Sequence, residues 1–149
     1  MQVSLINDRF SVSDQITPDD VAILAQQGVT ELVNMRPDEE VEPHLRSDAI
    51  AAAAQQANMA YVYLPIVPGM YAEDAVNMLR TTLNGCNHRV HSYCRSGNRV
   101  MHVWALANAL GKSSDALLAE CAKAPCDLAS IKSHLEQHNL EQPWLGMHI

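Results

Sequence analysis

The residue types best suited to chemistry in this chain stand side by side, in the run Cys94-Arg95-Ser96-Gly97-Asn98-Arg99. A thiol becomes a nucleophile when its surroundings favour the thiolate, and converging backbone N–H groups and guanidinium ions do so. Gly97 permits a backbone angle that a side chain opposes, so successive N–H groups of the run can turn toward one point. Arg99 closes the run with a planar fork of donors that matches two oxygens of a phosphate or of a sulfur oxyanion. Arg95, Ser96, Gly97 and Asn98 complete the expected anion-binding loop, although Arg95 alternatively points outward into solvent. Cys94 in isolation reads as a small buried hydrophobe, and only its neighbours argue for reactivity.

Such a loop needs a strand to deliver it and a helix to close it. RVHSY, Arg89 to Tyr93, reads as that strand, and a helix runs from about Asn98 to Leu110, capped by Gly111. In open α/β sheets ligands bind beyond the carboxyl ends of the strands, which is where this run falls. Earlier segments repeat the pattern. Thr17-Pro18-Asp19-Asp20 opens a helix that Gly28 closes, Thr30 to Met35 is a buried strand, Ser47 to Ala57 a helix, Tyr61 to Val67 a strand and Tyr71 to Leu83 a helix. The alternation predicts an α/β fold with a mainly parallel central sheet flanked by helices. Val3 to Ile6 and Phe10 to Val12, split by Asn7-Asp8, read as a short hairpin or two small edge strands.

Ser113 to Ala122 and Asp127 to His138 read as two last helices separated by Pro125, followed by a tail whose Trp144-Leu145 docks on the body or mediates an oligomer contact. No linker or low-complexity tract interrupts the chain, so residues 1–149 are expected to form a single domain, with the helices from about residue 113 packed on it.

Net charge −7 and a pI near 5.3 argue against a general grip on nucleic acid, and no apolar run is long enough to span a membrane. No basic leader precedes an apolar stretch, which places the chain in the cytoplasm. The four cysteines lack C-x-x-C spacing, so neither a zinc site nor a disulfide framework is expected, and no metal or cofactor is called for. Cys121 and Cys126 read as structural, while Cys86 serves as a resolving thiol only if the fold brings it close to Cys94. His134 and His138 share a helical face but lack a third ligand, which favours a solvated face, and His91 lies either near the site or in ordinary sheet packing.

Phosphoester cleavage benefits from an acid that protonates the leaving oxygen. The matching segment LPIVPGM, which runs out of the strand Tyr61 to Val67, carries none; Asp38, on the loop Arg36 to Glu40, is the nearest candidate, with Glu73 and Asp74 behind it. The bland alternatives are a solvated acidic turn for Asp38 to Glu40 and helix-dipole complementation for Glu73 and Asp74. Arg36 is either a substrate contact or a strand-end cation paired with those acids.

CRSGNR between strand and helix resembles the active-site loop of rhodaneses and of cysteine-based phosphatases alike. SVSDQITPDDVAILAQQGVTELVNMRPDEE together with YVYLPI resembles the phosphatase-like domain found beside beta-lactamase-like hydrolases, which is similar to the dual-specificity phosphatase fold. The resemblance covers roughly residues 3 to 110. It implies a cysteine-based (dual-specificity or tyrosine) phosphatase-like fold, with Cys94 as nucleophile and Arg99 as the phosphate-binding arginine. It also implies a phosphorylated small molecule or phosphoprotein as substrate, and a metallo-hydrolase as partner. Three departures stand out: Tyr93 precedes the cysteine where the phosphatases have His, four residues instead of five separate Cys94 from Arg99, and Val100 follows where a Ser or Thr is usual. Four is the rhodanese spacing, which implies a sulfurtransferase with a persulfide on Cys94 and a sulfur-oxyanion ligand as the rival activity. The missing acid and hydroxyl leave a non-catalytic anion- or phosphopeptide-binding module as a third possibility.

Overall fold

A computed structural model describes the backbone of residues 1–141 and the side chains of residues 1–137. Trp144-Leu145 and the side chain of His138 lie outside the described residues. Five strands form one sheet in the order β1-β2-β5-β3-β4, with β1 (Val3–Asn7) antiparallel to β2 (Phe10–Ser13) and the others, β5 (Arg89–Tyr93), β3 (Val29–Asn34) and β4 (Ala60–Tyr63), parallel. The expected α/β fold with a mainly parallel sheet flanked by helices is therefore present.

Helices cover both faces of the sheet. On one, α1 (Pro18–Gln26) and α2 (Ser47–Gln56) close a core of Val21, Leu24, Leu32, Ile50, Ala54 and Tyr93. The opposite core joins Phe10, Val33, Leu79, Val90, Val100 and Trp104 through α3 (Glu73–Gly85) and α4 (Asn98–Ala107). Leu117 and Cys121 of α5 (Ser114–Cys121) and Ile131 and Leu135 of α6 (Leu128–Glu141) belong to that same core. α1 starts where its sequence says: the Thr17 hydroxyl accepts from the Asp20 N–H at 3.3 Å and the Asp20 carboxylate accepts from the Thr17 N–H at 2.9 Å. Such a capping box is worth about 1 kcal/mol.

Four expectations need revision. β1 and β2 form the expected N-terminal hairpin, but Phe10–Ser13 is no edge strand; all four residues are buried because β2 is hydrogen-bonded to β1 on one side and to β5 on the other. β4 ends at Tyr63 because Pro65 has no N–H, yet the chain continues beside β3, with Leu64 N–H donating to Asn34 O at 2.8 Å and Ile66 N–H to Met35 O at 3.0 Å. α3 begins at Glu73, not Tyr71, which leaves Tyr71 on the preceding turn. α4 also stops three residues early, at Ala107, where the chain turns and Gly111 N–H reaches Asn108 O.

The registers matter most for position. Ser13 and Asn34 both face Tyr93, and Asn34 faces Tyr63, so the four parallel strands end on one line. Everything that follows those ends is delivered to one edge of the sheet.

Candidate functional site

Tyr93 is the last residue of β5 and Cys94 the first beyond it, with the sulfur at the floor of the turn and no solvent exposure. The Gly97 N–H points at Cys94 Sγ at 3.1 Å. Gly97 precedes α4 with φ +92°, a conformation that side chains resist, and a Cβ there would lie 3.3 Å from the Val12 methyl and 3.5 Å from Ser13 O. Glycine is thus demanded twice, by backbone angle and by the close approach of β2. The start of α4 directs its unpaired N–H groups toward the same turn, adding partial positive charge.

Arg99 follows one helical step later and is nearly buried, 6% exposed. Its Nη1 donates to Glu40 Oε2 and to Ile66 O, each at 2.8 Å, and its Nη2 donates to Glu40 Oε1 at 2.7 Å. A guanidinium has five N–H bonds, so Nε–H and one Nη2–H remain, on the side that hydrogen-bonds the Cys94 sulfur. Those two are the parallel donors on the side edge of the fork, a pair suited to two oxygens of one oxyanion. Burial works against the charge on Arg99, but the Glu40 hydrogen bond and the nearby Cys94 sulfur outweigh it and raise its pKa.

Glu40 arrives from the loop after β3. Arg36 begins this loop, with its Nε donating to Glu40 Oε1 at 3.4 Å, Nη2 to Glu40 O at 3.1 Å and Nη1 to Gln15 Oε1 at 3.1 Å. Hydrogen bonding from Arg99, ahead of burial and of Arg36, holds the Glu40 carboxyl below the ordinary carboxylate range. It is an anion there, not a proton donor. Arg36 accordingly does what the second sequence reading proposed, pairing with an acid of its own loop, while also lining the cleft.

Asp38 differs from its expected role in the same loop. Its Oδ1 accepts the N–H of Ser47 at 2.7 Å, covering an orphan donor at the positive end of α2, and its own N–H donates to the Tyr63 hydroxyl at 2.8 Å. The cleft is instead bounded by Arg36 and Glu40, by Pro68 and Tyr71 from the segment after β4, and by Arg95, Ser96, Asn98 and Arg99, enclosing about 420 Å³. Asp38 is absent from this boundary, as are Glu73 and Asp74, which occupy the first turn of α3 as the dipole reading anticipated.

Glu40 and Tyr71 are the residues sequence reasoning missed. Glu40 was read only as part of an acidic turn; the Arg-Pro pair ahead of it, which starts a tight turn, was the available signal. Tyr71 precedes α3 instead of opening it. It is held by rings: its centroid is 4.8 Å from stacked His102 and 4.9 Å from His134, edge-on, and the two imidazoles are 5.0 Å apart. His134 is therefore packed, not on a solvated face. Burial pushes the Tyr71 phenol up.

The remaining candidates fall away from the cleft. Cys86 lies before β5, and a five-residue strand at about 3.3 Å per residue separates it from Cys94, too far for a resolving thiol. Burial pushes the Cys121 thiol up to about 12, consistent with a structural role, and Cys126 Sγ donates to Cys121 O at 3.1 Å. His91 is buried between Ser11 and Ser13, with Nδ1 to Ser11 Oγ at 2.7 Å and Nε2 to Ser13 Oγ at 2.8 Å. Ser13 Oγ gives its proton to Asp14 O, so His91 Nε2 must be the donor and Nδ1 the acceptor, a neutral ring. Among the described residues there is no cluster of three or more potential metal ligands, and no helix is long and apolar enough to cross a membrane.

The family model for the phosphatase-like domain of beta-lactamase hydrolase-like proteins matches residues 2–111. The chain belongs to that family. Two beta-lactamase hydrolase-like proteins of Xylella fastidiosa, from strains Temecula1 and 9a5c, are each 28% identical over 110 residues; the match covers 74% of this chain but spans only about a quarter (26%) of their length. Among solved structures, a candidate phosphatase from Neisseria meningitidis superposes with TM-score 0.81 at 23% identity, over 92% of this chain and 98% of that one. The kinase associated phosphatase, solved with its catalytic cysteine replaced by serine, gives TM-score 0.76 at 13% identity over 100% and 98%. TpbA of P. aeruginosa, in complex with phosphotyrosine, gives TM-score 0.60 at 16% identity over 90% of each chain. The phosphatase-like domain family thus shares the fold of tyrosine and dual-specificity phosphatases, as the loop and the N-terminal motif implied.

Proposed function

We propose that this phosphatase-like domain is a cysteine-dependent phosphomonoester hydrolase. The observation that carries the reading is the side edge of Arg99: Glu40 and Ile66 O occupy its other three N–H bonds, so Nε–H and one Nη2–H remain on the side that hydrogen-bonds the Cys94 sulfur, where an anion above that sulfur would meet them, and the sulfur also accepts the Gly97 N–H. In the reaction the Cys94 thiolate attacks phosphorus, a sulfur–phosphorus bond forms, and the ester oxygen departs with its electron pair. The loop N–H groups and Arg99 hold the equatorial oxygens as charge develops on them. Water then cleaves the sulfur–phosphorus bond, giving inorganic phosphate and restoring the thiolate.

The protonation states in the cleft narrow the substrate. Glu40 is held ionised by Arg99, and Asp38 lies off the cleft wall with Oδ1 accepting the Ser47 N–H, so no carboxyl on that wall is placed to protonate the leaving oxygen. Aryl phosphates, whose leaving oxygens are weakly basic, are the better substrates, and the flat wall of Tyr71 suits them. TpbA, of related fold, holds phosphotyrosine.

The four-residue spacing from Cys94 to Arg99 supports a second reading, a rhodanese-like persulfide carrier. Parallel assays of wild type and Cys94→Ser decide between them, using an aryl phosphate in one series and thiosulfate with a thiol acceptor in the other. Phosphate release is expected to fall by about a thousandfold or more in the variant. Cys94-dependent sulfur transfer without phosphate release overturns the hydrolase reading, and retained anion binding without either turnover assigns a binding module.

A further inference from the structure

The cleft holds more cationic and donor capacity than one phosphoryl group uses. Arg36 and Arg99 direct their guanidinium donors to Glu40, Gln15 and Ile66 O, and both Glu40 carboxylate oxygens are consumed by this pairing. Arg95, also lining the cleft, is exposed, and its guanidinium meets no acceptor among the described residues. Its neighbours carry donors of the same kind. Asn98 Oδ1 accepts from Asp127 N–H at 2.9 Å, which leaves its amide N–H bonds directed elsewhere, and Ser96 Oγ accepts from Asn98 N–H at 3.4 Å, which leaves its O–H to donate. A cluster of donors facing a cleft whose carboxylate is already spoken for selects an acceptor with negative charge. The chain as a whole is at −7, so long-range attraction does not bring anions here, and recognition must be local.

We infer that Arg95, with Ser96 and Asn98, forms a second anion subsite, so that the substrate is a phosphate monoester carrying a further carboxylate or phosphate close to the one that is cleaved. The inference rests on the hydrolase reading for the word substrate, but the subsite itself is a binding claim. Two sources share this chemistry, a small phosphorylated acid and a phosphopeptide with flanking acidic residues.

The test measures binding without turnover. Phenylphosphonate is compared with its 2-carboxy and 4-carboxy derivatives on Cys94→Ser protein, on the same protein also carrying Arg95→Gln, and on a control carrying Arg9→Gln at the opposite end of the sheet. One carboxylated probe is expected to bind roughly fivefold more tightly than the parent, with the advantage lost in Arg95→Gln and kept in the control. Equal affinity for parent and carboxylated probes overturns the subsite, and so does an advantage that survives Arg95→Gln. Binding of none of the probes overturns it together with the anion cradle. A preserved preference in a protein that shows no Cys94-dependent phosphate release overturns the hydrolase reading alone. Phosphotyrosine peptides flanked by Asp and Glu, or by Asn and Gln, then separate the sources: an Arg95-dependent preference for the acidic peptide assigns the peptide, and a preference confined to the phosphonates assigns the small acid.

Discussion

The loops after β5 and β3 stand side by side at one edge of the sheet, and they make their chemistry in opposite ways. After β5, the donors are backbone N–H groups and the residues are consecutive, so Cys94, Gly97 and Arg99 share a site by covalent necessity. After β3, three acids in a row, Asp38, Glu39 and Glu40, have three fates. Asp38 turns to the start of α2, Glu39 is exposed and lines no part of the cleft, and Glu40 crosses to Arg99, 59 residues away. A backbone cradle is specified by its own segment, whereas a side chain serves whichever neighbour the fold supplies.

The contrast breaks first at Gly97. Gly97→Ala is expected to destabilise the chain by about 1–2 kcal/mol, because it forces a side chain into positive φ and against Val12, and to lower Cys94-dependent turnover at least a hundredfold by moving the cradle. Chemical denaturation and steady-state kinetics check both. Wild-type turnover in a correctly folded Gly97→Ala protein would remove the backbone cradle from the mechanism.

Paired substitutions in the β3 loop sharpen the comparison. Glu40→Gln keeps the shape but loses the charge that orients Arg99, so kcat is expected to fall about tenfold, with partial recovery in Glu40→Asp. Asp38→Asn is expected to leave the pH profile of kcat in place and cost about 1 kcal/mol of stability through the weaker cap on α2. Loss of the alkaline limb in Asp38→Asn would instead restore Asp38 as the acid. Because the Glu40 pKa is depressed, its pairing contributes stability above the ordinary carboxylate range and loses it as pH falls through the lowered folded value.

The last expected effect concerns stability and not turnover, and it lies behind the cradle, in the sheet. Burial lowers His91 to about 3, so between pH 6.5 and about 3 the unfolded chain binds a proton that the folded chain refuses. Stability should therefore fall with falling pH across that window, by at most about 1.4 kcal/mol per unit from this group. His91→Asn should flatten the slope in urea titrations, and an unchanged slope would assign the acid sensitivity to other groups.

Much of the fold was legible because its causes are local. Thr17-Pro18-Asp19-Asp20 caps its own helix, Gly28 and Pro37 bracket β3, and the alternation of apolar strands with helices leaves few topologies other than a mainly parallel sheet. The N-terminal hairpin was legible, but four residues do not reveal that both edges of β2 will be paired, and β4 misled because Pro65 ends the ladder without ending the extended path. Tyr71 was lost to a helix boundary two residues too early, which concealed a ring packed on His102 and His134.

The proposed anion loop is legible in six consecutive residues, since turn geometry, a positive φ and a fork of donors are properties of that run alone. Which acid meets Arg99, which edge of that arginine turns to the Cys94 sulfur, and where Arg95 lies in the cleft are set by contacts between distant segments. The reason is physical. Backbone donors are fixed by local dihedral angles, but a carboxylate on a flexible stem pairs with whatever charge the strand register sets opposite it, and that register is a property of the whole sheet.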